Sequence, residues 1–160
     1  ADEIDVDPRS TIQVDLSKAL AGEGVGLRLS ADDPVIARLF VQGRPGTTDY
    51  ALVGPGGSSK VLEQTVGAPG TLELSNPGRE AVTFSGELTG ANGKKTAIEG
   101  TVSAGSTWSG KVPAAGHLHI AGSAPLIGGV ISASGLAVLP LEAMATVTNG
   151  RSADVDPQLR

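Results

Sequence analysis

Apolar and polar residues alternate with a period of two along most of the chain, and almost nothing recurs at helical spacing. In Thr11-Ile-Gln-Val-Asp-Leu16, the apolar Ile12, Val14 and Leu16 alternate with Gln13 and Asp15. Ile4 and Val6 alternate with Asp5 and Asp7, Leu27 and Leu29 flank Arg28, and Leu72 and Leu74 flank Glu73. Val82, Phe84 and Leu88 share one parity. Successive side chains on a strand point to opposite faces, so the pattern specifies antiparallel strands with one face in a core and one in water. Helix is reduced to single turns, one over residues 17–21 capped by Ser17 and one over 141–145.

The chain reverses often, as 23 Gly and 10 Pro in 160 residues require. Asn92-Gly93 predicts a two-residue type I′ turn joining a strand over 81–89 to one over 96–102. Asn149-Gly150 repeats the device, and Asn76-Pro-Gly78, Arg44-Pro-Gly46 and Gly54-Pro-Gly-Gly57 mark other reversals. From Ile120 to Leu141 no residue is ionisable, long enough to cross a bilayer. Pro125, Pro140 and four glycines break that run, so it reads as two strands buried on both faces and joined near 132–135.

An internal repeat organises these strands. Val6-Asp-Pro-Arg-Ser-Thr-Ile12 lies over Val102-Ser-Ala-Gly-Ser-Thr-Trp108, 96 residues on (102 − 6). Leu27-Arg-Leu29 and Pro34-Val-Ile36 lie over Leu118-His-Ile120 and Pro125-Leu-Ile127, 91 residues on (118 − 27). The expected fold is therefore all-β and antiparallel, with two related sandwich-like, Ig-like units over residues 1–66 and 67–145. The second unit carries a hairpin over 81–102 that the first lacks. Residues 146–156, with Asn149-Gly150 at their tip, resemble it, and the C-terminal segment 146–160 is expected to return and complete the first unit by protecting its edges.

Composition excludes several functions. Twelve basic against seventeen acidic residues leave a net charge of −5, which argues against a nucleic-acid partner. Without cysteine there is no disulfide scaffold, thiolate metal site or cysteine nucleophile. Ala1 is followed by acidic residues rather than a basic and then apolar leader, so the chain is expected to be a processed or trimmed one. The glycine-rich Gly22-Glu-Gly-Val-Gly26 precedes a strand, and so has no helix N-terminus to aim at a phosphate.

The candidate contact residues are few. His117 and His119, the only histidines, lie two apart on one face of a strand. Two imidazoles so placed would need a third ligand from a neighbouring strand to hold zinc, none is identifiable in the sequence, and their parity makes them solvated outward residues. Trp108 occupies the repeat position of Ile12, which makes it a core residue; facing outward, it would offer a sugar-stacking or partner-anchoring ring. Asp5-Val-Asp7 and Asp154-Val-Asp156 read as solvated carboxylates, and Asp32-Asp33-Pro34 as a turn before a strand. Serines are plentiful, but no G-x-S-x-G elbow occurs.

Leu72-Glu-Leu-Ser-Asn-Pro-Gly78, the Asn92-Gly93 hairpin, Val102-Ser-Ala-Gly-Ser-Thr107 and the arginine-bearing Pro34-Val-Ile-Ala-Arg-Leu39 resemble an actinobacterial family of exported, repeat-containing sandwich proteins of unknown function. The resemblance covers most of the chain and carries over no catalytic residue. It implies an extracytoplasmic location at the cell envelope and an accessory role beside membrane glycosyltransferases. The expected function is a non-enzymatic interaction module with a protein partner and no cofactor or metal. A cell-wall glycan-binding module is the alternative, and a hydrolase with an unusual site the third reading.

Overall fold

The computed structural model describes residues 4–17, 27, 29–42, 50–54, 56–132 and 138–144. None of these residues is helical. Among the described residues ten strands follow one another: β1 (Leu39–Gln42), β2 (Tyr50–Val53), β3 (Ser59–Val66), β4 (Gly70–Ser75), β5 (Val82–Gly90), β6 (Lys95–Val102), β7 (Thr107–Val112), β8 (Gly116–Ser132), β9 (Val138–Pro140) and β10 (Glu142–Ala143). Every pairing is antiparallel. β1 and β2 form a two-stranded ladder, and the other eight strands form one connected sheet.

The long strand β8 organises that sheet. Its first half pairs with β3 and β5, giving the order β10-β3-β8-β5-β6. Its second half pairs with β4 and β9, giving the order β7-β4-β8-β9. Between the halves the register slips: Ser59 of β3 faces Leu126 while Val61 faces Ala121. Extra residues on one strand bend it and sharpen its twist, so Gly122 to Pro125 form the corner that turns β8 from one half to the other.

One core serves both halves. Leu62, Val66, Val82, Phe84, Leu88, Leu118 and Ile120 from the first pack in one cluster with Leu72, Leu74, Val112, Leu126, Val130 and Leu141 from the second. The period-two alternation reads directly here. Val82, Phe84 and Leu88 point in, and Leu118 and Ile120 are buried between the exposed His117 and His119. β3, which a repeat boundary at residue 66 assigns to the first half of the chain, pairs with β8 and shares this core.

Several local expectations need correction. The hairpin at Asn92-Gly93 joins β5 to β6 as expected, but only Gly93 has a positive φ, +75°, so the turn is not type I′. Gly93 N donates to Gly90 O at 2.9 Å and Gly90 N to Lys94 O at 2.8 Å. A three-residue loop ending in a left-handed glycine joins the strands instead. The helical turn expected over 141–145 is replaced by β10: Leu141 is buried, its N–H donates to Gly128 O, and Glu142 pairs with Glu63. The run 120–141 does form two paired strands, with Val130 opposite Leu139. Its faces differ, however, since Leu126 and Val130 are buried while Leu139 is exposed.

The largest correction concerns the N-terminal residues. None of 4–17, 27 or 29–38 is in a strand, and Ile4, Val6, Ile12 and Val14 are exposed. A strand needs a hydrogen-bonded neighbour as well as alternation, and no described segment lies along this one. The turn expected over 17–21, the Asn149-Gly150 tip and the completing role of residues 146–160 fall outside the described residues.

Candidate functional site

The sheet β10-β3-β8-β5-β6 presents one face to the core and one outward. On the outward face the registers set Glu142, Glu63, His119 and Glu87 side by side across four strands. The neighbouring row holds Thr65, His117, Thr89 and Lys95. His119 Nδ1 donates to Glu63 Oε1 at 2.7 Å, and His117 Nε2 lies 3.7 Å from Glu63 Oε2. Glu63 is therefore the group that both histidines face. Sequence reading missed it, because the partner of the two histidines on β8 is fixed by the β3 register, 54 positions upstream of His117 (117 − 63). Its one local signal was its place on the polar parity between Leu62 and Gln64.

On the other side of His119, Lys95 Nζ sits 2.9 Å from Glu87 Oε1, and Thr89 Oγ1 donates to Glu87 at 3.1 Å. The Lys95 ammonium holds the Glu87 carboxyl below the usual glutamate range. The face is thus a row of three carboxylates with His119 among them, in which His119 and His117 face Glu63 and Lys95 and Thr89 hold Glu87. Among the described residues no group of three or more His, Asp and Glu has the geometry to hold a metal ion. A hydroxyl, an imidazole and a carboxylate do meet in Thr65, His117 and Glu63. The Thr65 Oγ1 to His117 Nδ1 separation is 3.5 Å, the limit of a hydrogen bond, and the three side chains lie on an open face.

Trp108 lies elsewhere, at the rim of the core on β7. It is half-buried, and its ring meets Phe84 edge-on with centroids 4.8 Å apart and planes at 71°. A Cβ at Gly110 would come 2.0 Å from the indole, so the glycine leaves the floor on which the ring lies. The inward reading of Trp108 describes its place, at the edge rather than the centre of the core.

Asn76 is the buried polar side chain among the described residues. It leaves β4, and its Nδ2 donates to Glu80 O at 2.7 Å and to Val102 O at 3.0 Å, with a longer contact to Ser103 O at 3.3 Å. Its Oδ1 accepts from Gly78 N at 2.9 Å, and its own N–H donates to Ser106 O at 3.0 Å. One side chain thereby ties the 77–81 connection to the end of β6 and the turn that follows. A shallow, open depression lies beside this corner, between Pro77, Arg79 and Glu80 on one side and Ser123 to Pro125 on the other.

Comparison with family models, with curated proteins and with solved structures finds no match to this chain.

Proposed function

We propose that the chain is a non-enzymatic interaction module of a bacterial cell envelope, acting outside the cytoplasm through protein–protein contact. The observation that carries this reading is the exposed outward face holding Glu63, Glu87 and Glu142 around His119 and His117. Small ligands are taken in concave sites that bury most of their surface, whereas broad faces with fixed charges suit macromolecular partners. The partner's matching surface is basic, and association is steered by charge and weakened by salt. The architecture proposed for the whole chain is two related sandwich-like units. Two turns 96 residues apart with the same backbone bond support it: Ser10 N donates to Asp7 O, and Ser106 N to Ser103 O, each at 3.1 Å. The envelope location and the association with membrane glycosyltransferases rest on the motif resemblance described above.

The test is cross-linked capture from the native membrane fraction with the wild-type chain and with Glu63→Gln/Glu87→Gln. A protein retained at low salt by the wild type and lost by the variant supports the reading. Equal retention by both refutes the face as the contact. Titration with cell-wall glycan fragments provides the contrast: a saturable shift in Trp108 emission would establish the glycan-binding alternative instead.

A further inference from the structure

We infer that β6 is a docking edge for a second copy of this chain, the two β6 strands pairing antiparallel about Ala97. The inference goes beyond the acidic face and stands without it.

The open edge follows from the hairpin. Gly90 N donates to Lys94 O at 2.8 Å, so the hydrogen-bonded pairs of the β5–β6 ladder are the even-numbered ones, Leu88–Thr96, Gly86–Ile98, Phe84–Gly100 and Val82–Val102. The far side of β5 agrees, since Thr83 N turns toward β8 and donates to Ser123 Oγ at 3.2 Å. The N–H and C=O groups of Lys95, Ala97, Glu99 and Thr101 therefore point away from β5. Among the described residues β6 pairs with β5 alone, and those four residues are exposed. Natural sheets blunt such edges with proline, a bulge or a very short strand. β6 has none of these: it runs Lys95–Val102 without proline, and its register against β5 is unbroken.

Charge names the occupant. Lys95 and Glu99 stand two places to either side of Ala97, with all three side chains on the outward face. An antiparallel pair of β6 strands centred on Ala97 sets Lys95 opposite Glu99 of the second copy and Glu99 opposite its Lys95. The two Ala97 residues then exchange both backbone hydrogen bonds. Centring on Glu99 would place like charges opposite each other, and a parallel, in-register pair would set Lys95 against Lys95. The other edges of this sheet among the described residues lack the symmetry: β7 carries Lys111 and no carboxylate, β9 no charge, and β10 is two residues long.

Two further contacts complete the seam. On the inward side Thr96 faces Ile98 of the second copy, which covers an isoleucine that packs against the core and is only half-buried in one chain. On the outward side the Lys95 ammonium, 2.9 Å from Glu87 Oε1, comes to stand between that carboxylate and Glu99 of the second copy. The twofold axis of such a pair is perpendicular to the sheet, so both outward faces stay on the same side.

Sedimentation equilibrium of the full chain is expected to show a mass that rises with concentration from 16.0 kDa toward twice that value; a mass that stays at 16.0 kDa overturns the inference. Ala97→Pro removes the outward N–H at the centre of the seam and no bond to β5. It should weaken association more than about tenfold while the far-ultraviolet circular dichroism stays that of wild type. Charge isolates this edge from any other contact. Glu99→Lys and Lys95→Glu chains should each remain monomeric alone and associate when mixed, because every charge at the seam then meets its opposite. A mixture no more associated than its components overturns the inference. In the wild-type dimer the amides of Ala97 and Glu99 should exchange more slowly than in the monomer, with those of Thr96 and Ile98 unchanged. A dimer without that alternation is formed through another surface, and also overturns it.

Discussion

Replacing Asn76 by alanine removes four side-chain hydrogen bonds from a residue only 2% exposed. The losses are unequal. Val102 O is left buried and loses its side-chain donor, which costs about 1–3 kcal/mol. Glu80 O and Gly78 N are partly exposed and recover water, so each costs about 0.5–1 kcal/mol. The Ser103 contact, at 3.3 Å, adds little. The total is about 3 kcal/mol, which for a chain of this size lowers the melting temperature by about 6–12 °C. Melting followed by circular dichroism and by Trp108 fluorescence measures it, and Trp108 sits two residues past the Ser106 carbonyl that Asn76 N–H binds. Asn76→Asp separates donor from acceptor: it keeps the acceptor for Gly78 N but aims carboxylate oxygen at three carbonyls. It is expected to be worse than alanine at neutral pH. Burial and those carbonyls raise its pKa, so the folded state binds the proton more tightly and stability returns as the pH falls. A melting point for Asn76→Ala within about 2 °C of wild type would refute the reasoning, because among the described residues Asn76 is the one side chain that donates to Val102 O.

Lys95→Met should return Glu87 toward the ordinary glutamate range in a carbon-13 titration, since the ammonium at 2.9 Å is the main cause of its lowered pKa. A lowered glutamate contributes stability above the ordinary glutamate range and loses it as pH falls through the lowered value; the variant should lack this acid-side loss, and identical pH profiles would contradict it. Gly110→Val should drive the indole of Trp108 off its floor, shifting its emission to longer wavelength and costing about 1–3 kcal/mol by overpacking. Unchanged emission would show that the ring does not rest on Gly110.

The acidic face and the core are two readings of one alternation. Leu118 and Ile120 are buried because they share a parity, and His117 and His119 face water because they share the other. That much is local, and it was legible residue by residue. Glu63 was not. A carboxylate on β3 meets the histidines only because β3 and β8 pair in one register, and a slip of one residue would send it into the core.

The same division runs through the whole molecule. Period-two patterning and glycine-rich turns determined an antiparallel β protein, the limits of β5 and β6, and the outward place of both histidines, since each follows from neighbours within a few residues. Only the tertiary structure decided that β8 serves two half-sheets around a corner at Gly122 to Pro125, that residues 141–143 run extended rather than helical, and that Asn76 works as a buried staple. It also decided that Ile12 and Val14, with the alternation of a strand, stay exposed. A strand exists only where another backbone supplies its hydrogen bonds, and which backbone that is depends on contacts far apart in sequence.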